Sequence, residues 1–553
     1  MDPYPNPRTR TDMLLLTAFC GFLFFYGLGA FGLLGADEPR YAQVAREMLD
    51  RSDWVTPTLQ GKPWLEKPAL YYWQAMLSFR VERMLPFASN QDKADPGVTA
   101  KAARLPAALD AVLLVGAIYF FLRRFRPGSE LNGALITASS AGVIGFARAA
   151  GTDMPLAAAF AVALLGWYAW YVGGNRIYLA VFYIFLALGT LAKGPVAPAL
   201  SAVIIFLFLA VKRDWRAIPR TLWIPGIVLC FAFTLPWYIA VEVRNPEFFR
   251  VFILEHNLAR FSEDLYHHPQ PFWFYLPVFL LAMTPWTVAL VFAVAEAARR
   301  LRPAWSASRQ NGSGPEDCWP LFLLIWMLVP VLFFSASQSK LPGYILPAAP
   351  AGALLVAEYL AGRAREEKKL SPLFAAGHGL FCGLLIFGAF SAASIAGTHH
   401  LHWGSGSWTA AAIAACFALG ISATLLSRAG LRLFSRVTAF AVVVSVGAVI
   451  GFAAPLIDAT QSARPIAQSI QAFSREPVPI ALYHINRAQE YGLEFYLNRP
   501  AEKYEDGNIP AAAHVLVARQ GGQVQVAQLV PGRRVSYLTS VPAQKLDLYW
   551  VGK

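Results

Sequence analysis

The chain has 553 residues, of which 56% are hydrophobic, 14% aromatic and only 15% charged. A soluble domain carries about a quarter charged residues, so this composition excludes an ordinary soluble protein and points to an integral membrane protein. The net charge of +13, from 47 Lys and Arg against 34 Asp and Glu, sits in short basic clusters between apolar runs, which suits anionic lipid and speaks against nucleic-acid binding.

Crossing the hydrocarbon core takes roughly 17–25 apolar residues. Candidate spans are 12–34, 104–122, 131–150, 153–172, 177–192, 195–211, 221–242, 272–297, 318–336, 341–361, 372–396, 407–427 and 434–457, about thirteen in all. The run from Met13 to Leu34 lacks a small-residue cleavage site, so no cleavable leader is expected. Gly194-Pro195 divides the fifth span from the sixth, as a tight turn or as a kink in one helix. Basic clusters at Arg8–Arg10, Arg123–Arg126, Arg176, Lys212–Arg216, Arg299–Arg302, Arg363–Lys369 and Arg428–Arg436 all fall on one side if the N-terminus is cytoplasmic and the turn at Gly194 separates two spans. The other side then receives the 35–103 loop, the Arg148–Asp153 turn, the 243–271 loop, Ser335–Gly343, Gly397–Ser407 and the tail after Leu456. Those segments hold all nine histidines except His378, so chemistry is expected on that face.

In the first outer loop, Asp37-Glu38-Pro39 reads as a helix start. Val44, Ala45, Met48 and Leu49 then form the apolar side of an interfacial amphipathic helix. A second helix is expected over Ala69–Leu85, with extended and turn segments at Trp54–Pro57 and Gly61–Pro63. After about residue 460 the composition becomes that of a small α/β domain outside the membrane. Helices are expected at Ile466–Phe473 and Ala488–Leu497, and strands at Val478–Tyr483, His514–Ala518, Val524–Leu529 and Leu546–Val551. His484 and the scattered carboxylates there read as surface residues. The five cysteines, Cys20, Cys230, Cys318, Cys382 and Cys416, lie in or beside apolar runs without metal-ligand spacing and imply no disulfide framework.

Five stretches carry residues suited to chemistry. Asp37-Glu38 lies one turn from Arg40 and Tyr41; it reads either as a helix cap or as a functional pair whose Asp, kept ionised by the Arg, accepts a proton or orients an acceptor, and the two readings are compatible. Lys62, Glu66 and Lys67 lie in a segment held by Pro63 and Pro68, Lys62 just before the first and Lys67 just before the second; the lysines suit lipid headgroups, or Lys67 a bound phosphate. Asp153, in Arg148-Ala-Ala-Gly-Thr-Asp-Met-Pro155, is either a cap or a boundary carboxylate that serves function. The stretch Glu255-His256-Asn257 to Arg260, with Glu263-Asp264 and His267-His268, is dense enough in ligands for a divalent metal and equally suits a lid. Lys340 and Tyr344, in Ser337-Gln-Ser-Lys-Leu-Pro-Gly-Tyr-Ile-Leu-Pro347, lie on the same face; for Lys340, snorkelling is the plainer role. His399, His400 and His402 read as exposed loop residues.

Taken together, Asp37-Glu-Pro-Arg-Tyr41, Gly61-Lys-Pro-Trp-Leu-Glu-Lys-Pro-Ala-Leu-Tyr-Tyr-Trp73, the Asp153 block and the Lys340–Pro347 block resemble the bacterial GT-C glycosyltransferases related to protein O-mannosyltransferases. Within that group the chain is most similar to the family of lipid A aminoarabinose transferases. The resemblance implies a polytopic α-helical membrane protein of GT-C type, with a transmembrane catalytic domain over 1–459 and a periplasmic α/β domain over 460–553. It implies an inner-membrane enzyme that takes 4-amino-4-deoxy-L-arabinose from undecaprenyl phosphate and places it on lipid A phosphates, giving polymyxin resistance. Its acidic first-loop residue is Asp37. Lys67 and Arg40, with Lys340, fall where the donor phosphate would bind. Glu38, Tyr41, Glu66, Asp153, Tyr344 and His256 fall near the cavity. The family implies no cofactor for the chemistry, while Glu66, His256, His267 and His268 keep a bound divalent metal open. The competing readings are another polyprenyl-phosphate-sugar transferase, a lipid flippase and a membrane-anchored binding protein. The concentration of charge on one face argues against the flippase, since alternating access places ionisable groups near the midplane.

Overall fold

The computed structural model describes residues 7–84, 97–252, 270–311, 318–398, 404–473 and 477–552. Among the described residues, nine helices are long and apolar enough to cross a bilayer, so the chain is a multi-pass membrane protein. A tenth span arises if Phe272–Ala282 and Thr287–Arg300, bent at 112°, count as one.

The other three of the thirteen expected spans are helical but short or broken. Pro7–Cys20 passes into a π-turn at Gly21–Phe25. Val196–Lys212 has only 17 residues, and Gly194, at φ +81°, makes the turn that parts it from Arg176–Lys193. The third divides into Glu130–Ser139 and Ala141–Ala147. There Ser139 and Ser140 turn their hydroxyls back onto Leu135 O and Ile136 O, a local bond that competes with the helix ladder. The Ala141 N–H freed at the break donates to Thr284 O, at 2.9 Å, in the bend of the neighbouring pair.

The first outer loop folds as two helices, Asp37–Asp50 and Leu70–Met84, joined through a hairpin of β1 (Thr58–Leu59) and β2 (Lys62–Pro63). Gln60 and Gly61 form its turn at φ +54° and +74°. Glu47 pins that turn, accepting bonds from the Thr58 hydroxyl (2.7 Å), Gln60 N (2.7 Å) and Gly61 N (3.1 Å).

The helix at Asp37–Asp50 corrects one expectation. Its apolar side does not lie against the membrane interface: Val44, Ala45 and Met48 are fully buried in protein. They belong to one core with Tyr71 and Met76 of the second helix and Ile466, Leu493 and Val515 of the terminal domain. Full burial stabilises a side chain such as Val44 or Met48 by about 1.5–3 kcal/mol, which ties the loop to the terminal domain.

That domain has a five-stranded sheet with β3 (Ile480–Tyr483), β4 (Glu502–Lys503), β5 (His514–Arg519), β6 (Val535–Val541) and β7 (Leu546–Val551), in the order β4-β3-β5-β7-β6. β3 runs parallel to β4 and β5, while β7 is antiparallel to β5 and β6. Helices Arg464–Phe473 and Arg487–Leu497 stand near their expected places, the latter opened by a capping box of Asn486 and Gln489. Val524–Leu529, expected as a strand, is the helix Gln523–Leu529. Its Val-Gln-Val alternation misleads because burial follows Val526 and Val530, four apart, and leaves Val524 at 70% exposure.

Candidate functional site

The site is built on a buried ion pair. Glu38 follows Asp37 in the first turn of its helix and is 8% exposed. Its carboxylate accepts from Arg104 Nε (2.9 Å) and Nη2 (2.7 Å), from Leu34 N (2.7 Å) and from Ala150 N (2.7 Å). Arg104, at the start of helix Ala100–Phe125, donates its remaining N–H groups to the carbonyls of Leu28, Phe31 and Gly32. All five guanidinium donors are used. The clamp joins the entry to the first loop, that helix and the 148–152 turn. Glu38 is therefore a structural anchor and does not reach the cavity, contrary to its expected place there.

Beside the clamp lies a cavity of about 580 Å³. Asp37, Arg40 and Tyr41 form one wall, Glu66 and Lys67 a second, Asp153 and Lys193 a third, and Leu341–Tyr344 a fourth. Arg487 reaches it from the terminal domain. Four cations thus face three carboxylates. Asp37, more than half exposed, pairs with Arg40 at 2.5 Å. The Arg40 guanidinium also lies over the rings of Tyr41 (5.3 Å), Trp64 (5.0 Å) and Tyr491 (5.6 Å). Burial works against its charge, but Tyr41, Asp37 and Glu66 more than offset this and hold its pKa above the ordinary value. Burial, aided by Asp37, pushes the Tyr41 phenol well up, so it remains a neutral donor. Asp153 accepts a hydrogen bond from the Lys193 ammonium, which lies 4.6 Å from the Tyr344 ring centroid. Gly343 makes this approach possible: a Cβ there would stand 2.8–3.0 Å from the Asp153 carboxyl atoms.

The structure thus brings together Asp37, Arg40, Tyr41, Glu66, Lys67, Asp153 and Tyr344, which lie far apart in sequence. It does not bring Lys340 to the cavity wall. That side chain is 6% exposed and donates to Ser337 O at 2.5 Å, because the chain turns at Leu341 into the 3-10 helix Pro342–Ala348. Lys193 and Arg487 were not singled out from sequence; the sole signal for Lys193 was its position beside Gly194-Pro195. His256, His267 and His268, like His399, His400 and His402, lie outside the described residues. Among the described residues no group of three or more His, Cys, Asp or Glu is placed to hold a metal ion.

Fold and cavity define the class: a multi-pass helical membrane protein with a charged cavity between its first outer loop, its helix ends and a small sheet domain. The same fold is found in the crystal structures of ArnT from Cupriavidus metallidurans, both in the apo state (TM-score 0.73, 21% identity, covering 98% of each chain) and bound to undecaprenyl phosphate (TM-score 0.71, 22% identity, covering 98% of this chain and 97% of that one). The particular proteins that the sequence is similar to are undecaprenyl phosphate-alpha-4-amino-4-deoxy-L-arabinose arabinosyl transferases. Identity is 31% over 370 residues with that of Pseudomonas paraeruginosa and 32% over 368 residues with that of Pseudomonas aeruginosa, covering 66% and 65% of this chain. The chain spans about three fifths of the length of these relatives, 62% and 61%. The profile of the family described as dolichyl-phosphate-mannose-protein mannosyltransferase matches residues 96–239.

Proposed function

We propose that the protein is a polyprenyl-phosphate-dependent glycosyltransferase that moves 4-amino-4-deoxy-L-arabinose from undecaprenyl phosphate to phosphate groups of lipid A. The observation that carries this reading is the cavity at the bundle end, where Arg40, Lys67 and Lys193 face Asp37, Glu66 and Asp153 within about 580 Å³. A donor phosphate, an aminosugar and an acceptor phosphate need that mixture of charges. The similar transferases named above supply the substrate class.

In this reaction an acceptor phosphate oxygen attacks the anomeric carbon, and the bond from that carbon to the donor phosphate oxygen breaks. Undecaprenyl phosphate leaves as an anion, so it needs cationic stabilisation more than a proton; Lys67 and Arg40 provide it, with Lys193 across the cavity. A phosphate monoester with a second pKa near 6 is largely deprotonated at neutral pH. Asp37 therefore orients the acceptor or binds the sugar ammonium, with Asp153 and Glu66 as further acceptors for the amine. In-line displacement inverts the anomeric carbon. No metal is needed for these steps, so chelation with EDTA leaves turnover unchanged; its loss, restored by a divalent ion, would reverse this reading. The distribution of basic clusters supports a cavity and terminal domain on the non-cytoplasmic side, which in a bacterial inner membrane is the periplasmic face.

The test is transfer by the purified protein from a defined undecaprenyl-linked aminoarabinose donor to lipid A, followed by mass spectrometry of the lipid. The expected product is lipid A carrying the aminosugar. The match to protein mannosyltransferases over 96–239 favours a second reading, in which a mannosyl phospholipid is the donor and a protein the acceptor. Transfer of mannose to protein and none of aminoarabinose to lipid A would decide for it.

A further inference from the structure

The end of the bundle opposite the cavity holds a second recess, of about 790 Å³, which the proposed reaction does not use. The segment Pro342–Arg365 has Tyr344 at the cavity and Leu360, Ala361 and Ala364 at the recess. At about 1.5 Å per helical residue, the two ends are separated by most of a bilayer core. This is also the face that the basic clusters mark as cytoplasmic.

Five cations line the recess: Lys368, Lys369, Arg428, Arg432 and Arg436. Arg432 and Arg436 stand four residues apart on helix Gly430–Ala448, hence on one side of it, and Arg428 sits in the turn just before. Among the described residues, Lys369 and these three arginines make no ion pair, whereas Lys368 is paired with Glu366 at 2.7 Å. Three carboxylates share the wall with these five cations: Asp12, which accepts from the Tyr119 hydroxyl at 3.1 Å, Glu130, which accepts from Gly128 N at 2.5 Å, and Glu367, so the lining keeps a positive balance. Like charges one helical turn apart destabilise a helix unless an anion offsets them.

The wall is not only polar. Leu360, Leu370, Leu425 and Leu431 contribute to it. Next in the chain, Leu373 and Leu426 are 76% and 50% exposed on the outside of the bundle. A soluble anion has no use for such a surface, while a molecule with an anionic head and apolar tails uses both.

We propose that this recess binds the phosphate headgroup of an anionic phospholipid from the leaflet opposite the reaction cavity, with Arg428, Arg432 and Arg436 as its cationic wall. The site is independent of the transfer reaction and serves the lipid that surrounds the protein.

Native mass spectrometry of the full-length protein, given phosphatidylglycerol or phosphatidylcholine, tests this. The wild type retains phosphatidylglycerol in preference, and Arg432→Gln with Arg436→Gln weakens that preference about twenty-five-fold, since each basic residue at a membrane surface contributes about a factor of five. Arg213→Gln with Arg216→Gln, neutralising a cluster outside the recess, leaves it unchanged, and millimolar inorganic phosphate does not displace the lipid. Equal retention of the two lipids overturns the proposal. So does an equal loss in the Arg213/Arg216 pair, which would mean diffuse surface charge, or displacement by phosphate, which would mean a site for free anions. If the Arg432/Arg436 pair fails to fold, Lys369→Gln with Arg428→Gln is expected to give the same loss, and retention of the preference there overturns the proposal.

Discussion

Asp37 and Glu38 are sequence neighbours with opposite surroundings, and their variants separate chemistry from architecture. Asp37 is exposed to the cavity and, among the described residues, bound by Arg40 alone, so Asp37→Asn is expected to lower transfer about a hundredfold or more while leaving the melting temperature and undecaprenyl phosphate binding as they were. Retained turnover would sink the role given to Asp37. Glu38 is buried with four donors on it. Removing one partner of a buried pair costs about 3–5 kcal/mol, so Glu38→Gln is expected to melt lower and to lose activity in proportion to folded protein. A wild-type melting temperature in that variant would contradict the clamp. Gly343→Ala places a methyl against the Asp153 carboxyl and is expected to reduce turnover by separating Asp153 from Lys193, with little change in yield; full turnover would show that the contact is dispensable. Sequence made Asp37, Arg40 and Lys67 legible because they sit in a charged stretch between apolar runs. It hid Arg104, which reads as the flank of a span. It hid Arg487, which reads as one more surface residue. And it misplaced Lys340, since sequence adjacency to Tyr344 says nothing of which way the chain turns at Leu341.

At the scale of elements, the hairpin is what presents Lys67. Glu47, projecting from helix Asp37–Asp50, holds the turn at Gln60-Gly61 by three hydrogen bonds. Without it the loop preceding Glu66 and Lys67 keeps the short pairing of β1 with β2 and the bond from the Gln60 side chain to Glu494, but its turn loses these three anchors. Glu47→Ala is therefore expected to raise KM for the donor severalfold, with a smaller effect on kcat and a stability loss of about 1–3 kcal/mol. A fall in kcat alone would place Glu47 outside this positioning role. Elements with a long, uniform pattern were legible: Ala100–Phe125, Asp153–Gly173 and Ser405–Leu426 fall where the apolar runs predict. Elements set by tertiary contact were not. The break at Ser140 depends on a carbonyl from Thr284, and the amphipathic face of Asp37–Asp50 gave no sign whether lipid or protein covers it. In the end, the terminal domain covers it.

At the scale of the molecule, the terminal domain closes the site from above, and its junction holds a carboxyl group that responds to pH. Arg46 donates to Phe495 O at 2.7 Å and lies over the Phe495 ring, Leu33 N donates to the Tyr496 hydroxyl at 2.7 Å, and Arg487 enters the cavity wall. Glu494 lies in the same helix, 3% exposed, bonded on one oxygen by Gln60 of the hairpin and Ala501 N, with the other oxygen buried and without a partner among the described residues. Burial, and to a lesser extent Glu490, pushes its pKa from 4.5 to about 7. The folded state thus keeps a proton that the unfolded chain releases at lower pH. By linkage, stability is unaffected below about 4.5, falls as pH rises from there to about 7, and stays lower above it, by roughly 3 kcal/mol at most. Glu494→Gln mimics the protonated group and removes this penalty. The variant is expected to melt with the wild type at pH 5 and a few degrees above it at pH 8, as followed by thermal unfolding in detergent at the two pH values. Equal shifts at both pH values would mean that Gln acts through packing, and a lower melting temperature at pH 8 would mean that Glu494 is ionised and stabilising, which reverses the sign of the argument.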